Sequence, residues 1–307
     1  MRIGFIGAGK AGVTLGKYFS LHGIEITGYY SRHIQSAREA AEFTAADIYE
    51  RASDLLADSD VLFLTVPDDA IAGCYRELCR SAGSIQGKIF CHASGAMTAE
   101  AAFPGIEAAG AYGYSVHPLF AISDRFSAYS QLADVFFTLE GSAGRRDFML
   151  EWLTAAGLTV QSIAAGCKAR YHAAAAIVSN QVVALFEEGR RMLEECGFQP
   201  EAAERALKPL FLGNALQVAE KGAVRALTGP VQRGDTGTLA KHLAVFENSR
   251  DRLLYLLLSR ELVKLARAKS ADYDDTSIGA FLDEEYRKGI EAAAAELRQA
   301  GRKDEAK

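Results

Sequence analysis

Cysteine is scarce and odd in number: Cys74, Cys79, Cys91, Cys167 and Cys196 are scattered through 307 residues. That excludes a secreted disulfide framework and points to a reducing, cytoplasmic setting. Cys74 and Cys79 have no second pair nearby to complete a zinc site, and no His/Cys/Asp/Glu grouping has ligand spacing, so no metal is expected. Positive charge is not in excess either. Lys plus Arg is 34 against 39 for Asp plus Glu, a formal charge of −5. Nucleic-acid affinity is built largely from Lys/Arg contacts to phosphate, so that class of partner is excluded, and a membrane surface with it. The longest strongly apolar stretch, 173–186, falls short of the roughly 20 residues that span a bilayer. No secretory leader, internal repeat or low-complexity linker is visible. There is no G-x-S-x-G elbow for serine hydrolysis.

What remains is an ordinary globular composition, 49% apolar and 24% charged. At roughly 100–200 residues per domain, two domains are expected. Residues 1–165 alternate short apolar runs with helical patterns. Strands are expected at 2–6, 25–30, 61–66, 88–92, 113–116, 135–139 and 158–163, with a short one at 48–49. Helices fall between them, to about 22, at 35–41 and at 145–156. Continuous apolar runs such as Val61–Val66 suit strands buried on both faces. Strands alternating with helices give an α/β fold, a Rossmann doubly wound parallel sheet. Residues 166–307 carry no strand signal and form an all-helical second domain for substrate binding and dimerisation. Its helices are expected at 166–197, 201–220 with a kink or break at Pro209, 238–247, 250–269 and 280–299, with a loop at 222–237.

The chemistry starts at Gly7-Ala8-Gly9-Lys10-Ala11-Gly12, which fits G-x-G-x-x-G directly after a strand and at the start of a helix. Gly7 permits the turn, Gly9 lets a pyrophosphate approach the backbone, and Gly12 lets helix and strand pack closely. The phosphates meet free N–H groups at a helix N-terminus. About 20 residues on, where an NAD site carries an acidic residue, the chain has Ser31-Arg32. No carboxylate repels a 2′-phosphate there, Ser31 can donate to it and Arg32 can pair with it, so the expected cofactor is NADP(H). The other reading of Arg32 is a solvated surface charge. Val66-Pro67 ends the next long strand and faces the expected cofactor site, while Asp68 and Asp69 are read as caps of the following helix. Ser94 and His92 lie at the expected nicotinamide position, or serve as local turn and core residues.

A proton donor must accompany hydride transfer to a carbonyl. Lys168, His172, Ala175 and Ser179 share one stripe of the helix that leaves the sheet, with Asn180 at its rim. Lys168 and His172 are the catalytic candidates, as acid or as orienting groups. The alternative makes Lys168 a solvated charge and His172 a core histidine. His117 at a strand end, Ser179 and Asn180 are substrate-binding candidates, as are Arg233 and Asp235 in the Thr228–Thr236 loop. There Arg233 can bind a carboxylate, and Asp235 can equally cap the next helix.

These residues resemble a known group. GAGKAG with Ser31-Arg32, Val66-Pro67, HPLFAIS at 117–123 and LTGPVQRGD at 227–235 followed by Lys241-His242-Leu243 are similar to a Rossmann-like family whose C-terminal half is a domain of unknown function. The resemblance implies an NADP-dependent oxidoreductase, laid out like pyrroline-5-carboxylate reductase, ketopantoate reductase and the β-hydroxyacid dehydrogenases. It also implies a homodimer built through the helical half. Hydroxyacid dehydrogenases of this layout place Asn four residues after the helix Lys. This chain has His172 four residues after Lys168, so the Lys role as proton donor carries over only in part, and no Asn stands at the matching offset.

The expected function is an NADPH-dependent reductase of a small 2-oxo acid or imine, with a ketopantoate-like substrate the leading candidate. Two alternatives stand beside it: a non-catalytic NADP-binding sensor or scaffold, and hydride exchange between NADP and a deazaflavin carrier.

Overall fold

The computed structural model describes residues 1–304, and the chain separates into two compact units, Met1–Ala184 and one that begins at Leu185. The first unit therefore keeps the helix that follows the last strand.

In chain order this unit contains β1 (Ile3–Ile6), α1 (Lys10–Leu21), β2 (Ile26–Tyr30), α2 (Ile34–Thr44), β3 (Asp47–Ile48), α3 (Ala52–Asp58) and β4 (Val61–Leu64). Then come α4 (Asp68–Ser81), β5 (Ile89–His92), α5 (Ala99–Ala102), β6 (Tyr112–Pro118), β7 (Phe136–Gly141), α6 (Arg146–Ala155) and β8 (Thr159–Ser162). The strands form one sheet in the order β3-β2-β1-β4-β5-β6-β7-β8. All pairings are parallel except β6 with β7, which is antiparallel.

The doubly wound, mostly parallel sheet is the one expected from the sequence, and this one antiparallel pair is its exception. The cause is the connection: residues 119–135 hold only a 3₁₀ segment, Ala128–Asp134, and no crossover α-helix of the kind that returns a chain to a parallel neighbour. Every residue of β1, β4 and β5 is buried. Their side chains alternate between two cores, with Phe5, Phe63 and Cys91 on one face and Ile6, Leu62, Leu64 and Phe90 on the other. Phe5 stacks on Tyr29 and Phe63 at 5.2 and 5.5 Å between ring centroids.

After β8 the chain turns through α7 (Lys168–Ala176), a π turn (Ile177–Gln181) and α8 (Val182–Glu195). The second unit holds α9 (Pro200–Lys221), α10 (Ala223–Ala226), α11 (Thr236–Leu243), α12 (Ser249–Lys269) and α13 (Thr276–Asp304). Its core gathers Val231, Leu239, Leu243, Leu256, Val263, Ile278 and Leu282. Of the kink or break expected at Pro209, the break does not occur, since α9 continues through that residue. Pro209 is solvent-exposed, so water can satisfy the carbonyl left without an amide partner. Among the described residues no helix is long and apolar enough to cross a membrane.

Candidate active site

The sheet order places the carboxyl ends of β1, β4, β5 and β6 in a row, with the reversal of chain direction across the sheet at β1. Ligands bind at such a switch point because the loops there diverge and leave a crevice. A cavity of about 620 Å³ opens at this point. Gly7, Ala8 and Gly9 line it from β1, Tyr30 to His33 from β2, and Thr65, Val66 and Pro67 from β4.

The glycines fit a dinucleotide. Gly7 has φ +102°, and a Cβ there would stand 2.7 Å from Thr65 O. A Cβ on Gly12 would run into Thr65 Oγ1 and stand 2.5 Å from Gly7 O, so α1 can approach the sheet only without a side chain there. At Gly9 the space is open. Thr65 closes the turn from beneath, its hydroxyl donating to Gly7 O at 2.8 Å. Ser31 Oγ accepts from His33 N at 3.3 Å and keeps its own proton for a ligand. Lys10, Ala11 and Gly12 form the first turn of α1 and do not line the cavity. Ser94, the remaining cofactor candidate, does not line it either.

Ser94 sits in a knot of hydrogen bonds at the end of β5. Its amide donates to His92 Nδ1 at 3.1 Å and its hydroxyl to Asp68 Oδ2 at 2.5 Å. Its carbonyl accepts from Lys168 Nζ at 2.8 Å and from Ser115 Oγ at 3.2 Å. Lys168 Nζ also donates to Ser115 Oγ at 2.6 Å. Asp68 is thus not a side-chain cap: Pro67 holds the N-cap position of α4, and the Asp68 carboxylate receives Ser94 instead.

Lys168 is 1% exposed. Burial lowers its pKa to about 8, against the pull of Glu140 and Asp68, which favour the charged form. Two of its three ammonium protons are engaged and one is free. The same buried positive charge acts on two histidines. Burial, then Lys168, then His117 hold His92 down at about 3. Burial, then Lys168 and His172, hold His117 at about 4. Both are neutral at pH 7. Ser94 N fixes the proton of His92 on Nε2. The Tyr171 hydroxyl lies 2.8 Å from His117 Nδ1; with that hydroxyl as donor, the proton of His117 is assigned to Nε2. His117 Nε2 and the His172 ring both lie against Gly95, where a Cβ would stand 2.8 and 2.5 Å from them.

A second cavity of about 490 Å³ is walled by His117 to Ala121, Tyr171, His172, Ala175, Ser179 and Asn180, among others. The expected stripe therefore divides. His172, Ala175 and Ser179 face this cavity together, whereas the Lys168 head turns under the Ser94 carbonyl. Asn180 joins the wall because the π turn repeats at i→i+5, which puts it on the face of Ala175. Ser179 donates to Ala175 O at 2.8 Å and to Asn180 Oδ1 at 3.0 Å. Arg233 and Asp235 belong to the second unit, where both Asp235 carboxylate oxygens cap α11 through Thr238 N and Thr238 Oγ1 at 2.9 and 2.6 Å. The described residues contain no group of three or more His, Cys, Asp or Glu able to hold a metal.

Thr65 and Arg125 line the first cavity, Tyr171 lines the second, Gly95 lies against His117 and His172, and Ser115 accepts from Lys168; sequence reasoning assigns none of the five a site role. For Ser115 a signal existed: Gly113, Ser115 and His117 alternate with the core residues Tyr114 and Val116 along β6.

This geometry agrees with the comparisons. Residues 1–118 match the Rossmann-like domain, and residues 135–262 match the domain of unknown function DUF2520. The interval between the two matches is the segment where β6 gives way to the antiparallel β7. A crystal structure of a Thermotoga maritima protein superposes on the Rossmann-like fold with TM-score 0.69 at 27% identity, covering 87% of this chain and 99% of its own. An NADH-preferring ketol-acid reductoisomerase from an uncultured archaeon gives TM-score 0.64 at 17% identity, covering 98% and 90%. A reductive aminase from Aspergillus terreus, in complex with NADPH and ethyl-5-oxohexanoate, gives 0.58 at 15%, covering 94% of each chain. No curated protein matches in sequence.

Proposed function

We propose that this protein is an NADPH-dependent reductase of a small carbonyl or imine substrate, a 2-oxo acid or cyclic imine, with ketopantoate the first to test. One observation carries the reading: a buried lysine with its pKa near 8 stands at the strand-end row that also holds the dinucleotide cradle. The fold neighbours differ in cofactor preference, so the preference is read from this chain's own Ser31 and Arg32.

When bound, NADPH supplies the hydride. The turn Gly7–Gly9 holds its pyrophosphate, and Ser31 and Arg32 hold the 2′-phosphate. In this reading Lys168, which lines neither cavity, is the source of the proton for the substrate oxygen or nitrogen and would deliver it past the Ser94–Gly95 turn that covers it. His117, neutral, orients that atom as a hydrogen-bond donor, with His172, Ser179 and Asn180 around it. Asp68, Ser115 and His92 hold the Ser94–Gly95 turn that separates the lysine from the histidines. The protein works in the cytoplasm, in keeping with five free cysteines. It is a homodimer through helices such as α9, which buries only Ala203 and exposes Leu210, Leu212 and Leu216.

Incubating the protein with NADPH and a panel of 2-oxo acids and cyclic imines should give loss of NADPH absorbance with at least one of them. That rate should fall as pH rises through about 8, where Lys168 loses the proton it must donate. Failure to bind NADPH in calorimetry would end the reading. Binding without turnover on any substrate would favour a sensor or scaffold, and exchange with a deazaflavin would favour a redox-carrier role. Arg32→Ala should weaken NADPH by about 10- to 100-fold and NADH by less than about threefold, since only one of them carries the 2′-phosphate. Equal losses for both would remove Arg32 from that role.

A further inference from the structure

Between β6 and β7 the chain crosses the mouth of the dinucleotide crevice, and one side chain of that segment enters it. Arg125 lines the cavity together with Gly7, Ala8, Gly9 and Arg32, although it lies more than a hundred residues after the glycine turn. Its Nη1 stands 3.5 Å from Ala8 O, at the outer limit of a hydrogen bond. Its Nη2 forms an ion pair with Glu39 of α2.

The loop that carries it is built, not loose. Asp124 Oδ1 accepts from Phe126 N, Ser127 N and Ser127 Oγ at 2.8–2.9 Å. The Thr14 hydroxyl of α1 donates to Arg125 O at 3.4 Å. The guanidinium lies 4.5 Å from the centre of the Phe126 ring, and Phe126 packs edge-on against Phe43 at 5.0 Å. A stacked and doubly anchored arginine has little freedom left to lose when it binds an anion.

We infer that Arg125 is a clamp for the pyrophosphate of the dinucleotide and that Glu39 competes with that pyrophosphate for it. This rests on the nucleotide reading above and adds a residue and a tuning device to it. The position beside Ala8 puts the guanidinium at the glycine turn, where the two phosphates common to NADH and NADPH lie, while Arg32 stands at the end of β2 where the 2′-phosphate lies. A guanidinium presents a planar fork of donors matched to phosphate oxygens. A carboxylate on the same fork offers the same geometry, so the two anions oppose each other across one cation.

Calorimetric titration with NADPH and with NADH separates the possibilities. Arg125→Ala should raise both dissociation constants by about tenfold, and Arg125→Lys, which keeps the charge but not the fork, should fall between. Glu39→Gln should lower both constants by about threefold, and the Arg125→Ala/Glu39→Gln double variant should behave as Arg125→Ala alone. Unchanged constants in Arg125→Ala, or a loss confined to NADPH, would overturn the clamp while leaving the nucleotide site standing. Glu39→Gln tightening binding equally in the Arg125→Ala background would overturn the competition. A wild-type protein that binds neither dinucleotide would remove the clamp and the nucleotide site together.

Discussion

Replacing Lys168 by methionine is expected to slow reduction by about 10²- to 10⁴-fold, the usual weight of a positioned acid, and to leave the protein no less stable at pH 7. The two halves of this result come from the same burial. The ordinary lysine value of 10.5 falls to about 8 in the folded chain. Holding the ammonium charged at neutral pH therefore costs folding about 3 kcal/mol. Methionine keeps most of the stem and its packing. It removes the two bonds from the ammonium to Ser94 O and Ser115 Oγ, worth about 1.5 kcal/mol each, and Ser115 still donates to the Ser94 carbonyl. The balance is near zero. The sign is also visible against pH. Between about pH 8 and 10.5 the unfolded chain binds more protons at this residue than the folded one, so wild-type stability gains a contribution as pH rises through that window. The methionine variant lacks that gain. Urea titrations at pH 7 and 10 and steady-state rates test both halves. A variant that turns over normally but loses more than about 2 kcal/mol would make Lys168 a brace between α7, β5 and β6 and nothing more.

Acid should unfold this protein early. His92 and His117 are held at about 3 and about 4, below the ordinary histidine value of 6.5. Their folded-state pKa values are lowered, so each contributes stability that is intact above about 6.5 and is lost as pH falls towards the folded values. From pH 7 to pH 5 each should remove about 2 kcal/mol. His92→Asn and His117→Gln should each flatten the loss by about that amount, because the substituted side chain does not titrate. Denaturation midpoints at pH 7 and 5 give the comparison. A pH dependence identical in wild type and both variants would mean the histidines take up protons in the folded state and are not the neutral groups described.

The sheet was legible because its signals are local. RIGFI followed by GAGKAG needs only neighbouring residues to say strand, turn, helix, and the fully buried runs of β4 and β5 announce a sheet covered on both sides. Direction was less so. The antiparallel β7 follows from the absence of a crossover helix after β6, a feature of what is missing between strands and not of the strands themselves. At the site, a backbone motif fixes where Gly7, Gly9, Ser31, Arg32 and Pro67 stand, and all five line the first cavity. Lys168 was placed on a wet ridge with His172, because helical spacing gives the direction of Cβ and says nothing about where a four-carbon stem ends. Asp68 was read as a cap from its position at a helix start, while its partner Ser94 lies 26 residues away. Arg125 reaches Ala8 across 117 residues, a contact no local pattern contains.

The π turn at Ile177–Gln181 means that the wall of the second cavity depends on counting as well as on chemistry. Deleting one residue between Ala175 and Asn180 would shorten their spacing from five to four, the spacing at which a regular α-helix also brings two residues to one face, so the later positions of the helix would keep their faces. Asn180 would then stay on the wall, and only the bulge itself would be lost. An alignment that allows one gap here would compare like faces of two related proteins, a gapless one would compare unlike faces beyond the turn, and a library that varies side chains at fixed length would never sample the change in shape that a single lost codon provides.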